Sequence, residues 1–329
     1  MFKQPHVSLA SKSKLLVQTG FKNFDLCANS YVGCQFACTY CYVRFFVKDP
    51  VHDWGDFVRV RSWAETQLNK ELTHGTFKLK TGTRDEIDQV TAKTKKKPVY
   101  THTPIDQLRL VIGTMTDPYQ PIETKERITR TILTTLAAHE TKFKKHGLFT
   151  RSPLVLNDLE LIKSLPAPQI HYTITPYPKD ILKQIEPISP TTQARWKVIK
   201  QIKESGIRTH VNIAPIIPHI SEDYIPKYVQ NLAELKIDEY FVDPIQPYPE
   251  SLKALDEGIK NHPKYQQIIK TITDKQAYAE WKQEYYEKWQ TERRKHQHLA
   301  PDQTPIWSDH VHHVWVNMKT EKHMNPKDY

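Results

Sequence analysis

The stretch "NSYVGCQFACTYCYVRFF", residues 29–46, holds three of the chain's four cysteines within eight positions. Cys34, Cys38 and Cys41 are spaced C-x3-C-x2-C, and Cys27 lies a short way upstream. Three chemistries compete for such a triad. A structural zinc site needs four ligands, usually two C-x2-C pairs, and here there is one such pair plus Cys34, with Cys27 inside a strand-like run. A redox or peroxidatic pair needs only two thiols and leaves Cys34 without a role. An iron-sulfur cluster held by three thiolates uses all three and leaves one iron open to a further ligand.

The flanking sequence sets the triad in a repeating pattern. Strand-like apolar runs at 23–31, 108–117, 147–152, 170–175 and 208–218 are each followed by a helical stretch, at 63–72, 124–139, 156–165, 190–206 and 223–236, and a sixth strand follows at 239–247. The helix at 190–206 opens on Pro190 and Thr191, closes on Gly206 and carries Trp196, Ile199 and Ile202 at helical spacing. Strands alternating with helices imply a parallel sheet. Right-handed crossovers then lay it out open or curl it into a barrel, with functional groups on the loops after the strands' C-terminal ends. The triad follows the first strand directly.

Three segments depart from this pattern. Residues 1–22 precede the first strand as an N-terminal extension. Residues 73–107 are polar and basic with poor helical periodicity, and read as an inserted loop or short hairpin over the barrel mouth or side. From 249 to 329 the chain forms a C-terminal extension, in which Tyr278, Trp281, Tyr285 and Trp289 recur every three to four residues, the stripe of a helix packed on a core. Near its end His310, His312 and His313 sit in a strand-like alternation. On a strand two of them share a face and the third takes the other, so a closing strand fits better than a metal site.

Composition narrows the setting. The chain has 329 residues, 38% hydrophobic, with seven Trp, sixteen Tyr and eleven Phe, which is ample for a buried core, and it contains no 18-residue apolar run to span a bilayer. No membrane partner is expected. The first residues lack an apolar leader, which points to a reducing cytoplasm and free thiols. A net charge of +10 permits a polyanionic partner, with lysine density at Lys93 and Lys95–Lys97 and again at Lys142, Lys144 and Lys145. Only nine glycines occur and no phosphate-cradling loop is present, so a nucleotide triphosphate co-substrate is not expected.

The cysteine spacing, with an aromatic directly before the last cysteine, resembles the radical S-adenosylmethionine (radical SAM) superfamily. The further strings "DFVRVR", "GTMTDPYQPIE", "TRSPLVLNDLELI", "IEP" at 185–187, "ARWKVIKQIKESGI" and "VNIAPIIP" follow in the order of the branch similar to spore photoproduct lyase, over about residues 23–247. The resemblance implies an α/β partial (β/α)6 TIM-like barrel, a [4Fe-4S] cluster on Cys34, Cys38 and Cys41, and SAM chelated to the open iron. It implies that the backbone of the aromatic Tyr40 lies by the adenine and that Thr114, Thr116 and Asp117 contact the methionyl amino group. It implies further that Arg151 reaches the SAM carboxylate or ribose, that Thr173 and Thr175 bond ribose hydroxyls, and that Asn212 and Ala214 border the adenine. Arg195 is a second candidate for the carboxylate, against an ordinary exposed helix residue.

The chemistry so implied is one-electron cleavage of SAM to a 5'-deoxyadenosyl radical that abstracts hydrogen from a substrate, fed by a flavodoxin- or ferredoxin-type reductant. Cleavage to a 3-amino-3-carboxypropyl radical for group transfer is the alternative within the class, and a relative of spore photoproduct lyase that binds or modifies nucleic acid is a second. Lyase, transferase and oxidoreductase outcomes all stay open, and no catalytic side chain is assigned. One departure matters. The loop that holds the lyase's hydrogen-donating cysteine has Thr114 at the matching place, and Cys27 reads as an apolar filler, so repair of the spore photoproduct does not carry over. Asp243, Gln246 and Tyr248 after the sixth strand and His219 after the fifth are candidates to line a substrate pocket.

Overall fold

A computed structural model describes residues 4–296, apart from 22, 88–93 and 141, together with 306–307. In chain order the elements are β1 (His6–Leu9), β2 (Leu16–Gln18), β3 (Leu26–Ala28), β4 (Tyr31–Val32), α1 (Val43–Phe46), β5 (Phe57–Val60), α2 (Ala64–Thr73), β6 (Thr76–Ile87), β7 (Thr94–Pro104) and β8 (Arg109–Ile112). They continue as α3 (Glu123–Glu126), α4 (Ile128–Ala138), β9 (Lys145–Thr150), α5 (Leu159–Lys163), β10 (Pro168–Ile174), α6 (Lys179–Ile185), α7 (Thr192–Glu204), β11 (Arg208–Ile216), α8 (Ile225–Glu234), β12 (Glu239–Pro244), α9 (Pro249–Ile259), α10 (Tyr265–Thr273), α11 (Lys275–Lys295) and β13 (Ile306–Trp307).

The main sheet has eight strands in the order β13-β12-β11-β10-β9-β8-β3-β2. Every pairing is parallel except that of β2 with β3. Six strands expected from the sequence, β3 and β8 to β12, thus lie side by side in chain order, as consecutive crossovers of one hand require. Two features were not legible. β2 adds an antiparallel edge, and β1, β5 and β4 form a small separate sheet. Strands β1 and β2 therefore weave the segment before β3 into both sheets.

Alternation along the strands separates two kinds of face. Leu26, Ala28, Leu110, Ile112, Leu148, Ile170, Tyr172, Ile174, Val211, Ile213, Tyr240 and Val242 are buried in one large apolar core with Leu68, Ile132, Ile199 and Leu232 of the crossover helices. Trp281, Tyr285 and Trp289 of α11 join that core, so the aromatic stripe packs as its spacing predicts. The alternate residues are more polar. Phe149 stacks on His171 at 4.4 Å between ring centroids, and His171 on His210 at 4.2 Å. Above them, toward the strands' C-terminal ends, come Arg151, Thr173 paired in register with Asn212, then Thr175 and Ala214.

Of the two readings of 73–107, the hairpin is the one that forms, over 76–87 and 94–104. β6 and β7 pair antiparallel from Thr76–Pro104 to Ile87–Thr94, with an irregularity between Lys80 and Gly82, because β-branched and aromatic residues recur through the basic run. Leu79 is buried and Phe77 packs against the main core, while Val99 and Tyr100 are exposed. The histidines at 310, 312 and 313 lie outside the described residues.

Candidate active site

The cysteine loop is wound by local turns. Ala37 N donates to the Cys34 carbonyl (3.3 Å), Cys41 N to that of Cys38 (3.2 Å) and Arg44 N to that of Cys41 (3.2 Å). Gly33, just before the loop, has φ of +88°, and a Cβ there would stand 2.5 Å from the Phe57 carbonyl oxygen. No other residue fits that approach. The loop is pinned from the far side of the chain as well. Thr39 N donates to the Ile185 carbonyl (2.9 Å) and Ser251 Oγ to that of Cys41 (2.8 Å). Cys34 and Cys38 are buried, Cys41 is partly so, and all three sit in one apolar cluster with Phe36, Tyr40, Ile181, Ile217 and Leu255.

Burial pushes all three thiols up, Cys41 to about 12 and Cys34 further, and the charge of Cys38 is felt by both of the others. Without a metal these groups are neutral thiols. Thiolates there require a strong adjacent positive charge, which iron supplies. Cys27 belongs to a different cluster, with Phe24 and Val111, and its thiol is also raised by burial. Among the described residues no three His, Cys, Asp or Glu side chains converge on one ion. A cubane bonds each thiolate to its own iron, so its ligands stand apart from one another, and the triad fits that arrangement in type, order and burial.

The loop after β8 runs beside the triad and is held by buried polar side chains. Thr116 Oγ1 donates to the Gly33 carbonyl (2.7 Å) and accepts from Gln120 Nε2 (2.9 Å), and Gln120 Oε1 accepts from Gln35 N (2.8 Å). Asn29 binds the same loop, accepting from Met115 N (2.8 Å) and donating to Thr114 Oγ1 (3.3 Å). Asp117 accepts from Thr150 Oγ1 (2.7 Å), Arg151 N (2.9 Å) and Tyr119 N (2.9 Å). Burial pushes its carboxyl up against these bonds. A carboxylate has about four lone-pair sites, so one remains for a ligand.

On the other side of the triad the sequence-predicted residues Tyr40, Arg151, Thr175 and Arg195 meet around a residue that sequence reasoning missed. Glu186 is buried, and its carboxylate accepts from Arg195 Nη2, from Tyr40 Oη and from Arg151 Nη1 (3.1 Å). Arg151 Nη1 also lies 2.7 Å from Tyr40 Oη and 3.2 Å from Cys38 Sγ, which brings a guanidinium against a triad sulfur. Arg195 is fully buried, not exposed, with further bonds to Thr175 Oγ1 (3.2 Å) and the Pro190 carbonyl (2.9 Å). Burial raises the Glu186 carboxyl, but Arg195 and then Arg151 more than offset this and hold it at about 2.

Asn212 and Ala214 lie on β11, Asn212 in register with Thr173 of β10, and the buried Asn212 Oδ1 has no hydrogen-bond partner among the described residues. A buried orphan acceptor at a strand end is a ready contact for a ligand donor. The residues after β11 and β12 are less convergent. His219 Nε2 is 2.9 Å from Thr271 Oγ1, Gln246 donates to the Pro244 carbonyl, and the Tyr248 ring meets Phe45 at 5.1 Å.

The family model described as "Radical SAM superfamily" matches residues 28–232. The chain belongs to the radical SAM superfamily. As a radical SAM enzyme it uses a [4Fe-4S] cluster and SAM. An uncharacterized protein of Methanocaldococcus jannaschii is 27% identical over 75% of this chain and 85% of its own length. An uncharacterized protein of Mycobacterium tuberculosis is 28% identical over 60% of this chain, which spans about half (52%) of that protein. A spore photoproduct lyase variant solved with bound AdoMet and dinucleoside spore photoproduct superposes with a TM-score of 0.52 at 13% identity, covering 78% of this chain and 66% of the other, a likeness of fold. No helix among the described residues is long and apolar enough to cross a membrane.

Proposed function

We propose that this radical SAM enzyme cleaves SAM to a 5'-deoxyadenosyl radical that abstracts hydrogen from a substrate carbon, within a partial (β/α)6 barrel spanning residues 23–248 in a reducing cytoplasm. The observation that carries it is the contact of Arg151 with Cys38 Sγ, because that guanidinium and the strand ends beside it border the same space as the triad. When bound, the cluster supplies one electron to SAM, drawn from a flavodoxin- or ferredoxin-type reductant.

The chain's own residues would orient the cofactor. Arg151 and Asp117 offer opposite charges for the methionyl carboxylate and ammonium, Asp117 with Thr114 and Thr116 beside it on the loop after β8. Thr173 and Thr175 would bond the ribose hydroxyls. Tyr40, Asn212 and Ala214 would enclose the adenine, with Asn212 Oδ1 accepting from a ligand N–H. Arg195 is committed to Glu186 and Thr175, so it would act through them rather than on SAM. The apolar cluster under α9 and α10 shields the triad from water.

Product analysis tests this reading. Reconstituted protein with dithionite and SAM is expected to yield 5'-deoxyadenosine. Methylthioadenosine in its place selects the 3-amino-3-carboxypropyl route, and neither product from a protein carrying a full cluster contradicts both. Binding or modification of nucleic acid remains the second reading, favoured by the exposed basic ribbon with Lys78 4.5 Å from the Tyr100 ring. Thr114 in place of a donor cysteine argues against repair of the spore photoproduct.

A further inference from the structure

Residues 76–104 carry seven Lys or Arg against three Asp or Glu, so a net +4 of the chain's +10 sits in the hairpin segment. The hairpin is fixed at its base. Phe77 packs toward Phe143 with ring centroids 6.3 Å apart, Leu79 is buried, and Ile105 N donates to the Gly75 carbonyl (3.1 Å). Gln18 of β2 holds both backbone groups of Lys80, donating to its carbonyl (2.9 Å) and accepting from its N–H (2.8 Å). Side chains alternate along a strand, so with Phe77 and Leu79 turned inward the other face meets solvent. Lys78 is in register with His102 and Lys80 with Tyr100, which puts two lysines and two rings on that outer face. All four are exposed, Tyr100 at 48%. Directly opposed pairs of this kind lie about 5 Å apart, and the exposed Lys96 and Lys97 carry the charge on toward the tip.

Clustered cations call for a polyanion, and an exposed ring among them calls for a flat partner to cover it. A duplex offers phosphates but hides its base faces, and a membrane surface offers phosphates without rings. A single strand offers both at nucleotide spacing. We propose that the outer face of this hairpin binds single-stranded nucleic acid, with a base stacked on Tyr100 and the flanking phosphates on Lys78 and Lys80. In the free protein Lys78 Nζ lies 4.5 Å from the Tyr100 ring, where it covers the face that a base would take; an arriving base turns it out toward a phosphate. This gives the nucleic-acid reading above, on which it rests, a location and a preference for unpaired strands. It depends on neither the cluster nor SAM.

The test is fluorescence anisotropy of labelled oligothymidylate and oligouridylate of about 12 nucleotides, and of a duplex of the same length, with the reconstituted protein. At least one of the single strands should bind about tenfold or more tightly than the duplex. Tyr100→Ala should raise its Kd about fivefold or more, the loss of one stacked base, and Tyr100→Trp should restore the affinity. Replacing Lys78 and Lys80 together by Gln should lower the slope of log K against log salt by about 1.4, the loss of two phosphate contacts on a single strand. Circular dichroism of each variant confirms that the fold is kept. Duplex bound as tightly as single strand, or Tyr100→Ala binding like the wild type, overturns the inference. So does binding to vesicles of phosphatidylserine and phosphatidylcholine in equal parts without binding to either oligonucleotide, which assigns the face to a membrane surface. 5'-Deoxyadenosine formed by a protein that binds no oligonucleotide sinks this inference alone; oligonucleotide binding without SAM cleavage supports it and sinks the radical reading instead.

Discussion

Cys38→Ala is expected to take the reconstituted protein from about four irons per chain to below one, and SAM cleavage to background. Cys38 is the middle cysteine of the triad, and its sulfur receives the Arg151 guanidinium. Two thiolates cannot hold a cubane against chelation and oxidation in a loop this dependent on its turns. Cys27→Ala, in a separate apolar cluster, is expected to keep both iron and activity. Iron content and 5'-deoxyadenosine, measured on the same samples, check the pair. Loss of iron in Cys27→Ala together with retention in Cys38→Ala would reverse the ligand assignment.

Glu186→Gln is expected to destabilise the fold by about 3–5 kcal/mol, the usual cost of removing one partner from a buried ion pair. The carboxylate lies between two guanidinia, one of them fully buried, and its loss leaves them to repel each other without compensation. Urea unfolding reads this directly, and a loss below about 1 kcal/mol would contradict the network. Arg195→Met should cost a similar amount, and the double variant less than the sum, since the second change removes a charge already stranded by the first. The acid limb gives an independent measure. The Glu186 carboxyl is held at about 2 when folded, below its ordinary 4.5, so its contribution is present above pH 4.5 and is lost as pH falls toward 2. Tryptophan fluorescence of acid unfolding should show that component in the wild type and not in Glu186→Gln.

The parallel strands and their order were readable in the sequence because each carries its own apolar run and each crossover helix its own periodicity. The triad was readable because its spacing is local. Glu186 was not, although it stands in the "IEP" string, because nothing within a few residues marks a carboxylate as buried. Its partners Arg151 and Tyr40 are distant in sequence, and Arg195 reaches it from a separate helix. The burial of Arg195 escaped for the same reason, since an arginine on an amphipathic helix reads as solvated until the opposing carboxylate is in place. β1, β2, β4 and β5 were missed because strands of two to four residues carry too few alternations to register. The hairpin within 73–107 was readable only as one of two options, because its lysines dilute the apolar alternation of a strand pair.

The most direct measurement is electron paramagnetic resonance of the dithionite-reduced protein before and after SAM is added. Three thiolates on one cubane with one iron open predict a [4Fe-4S]+ signal whose g values move when SAM binds that iron. A spectrum indifferent to SAM, or a protein that takes up a single zinc in place of iron, would contradict the account.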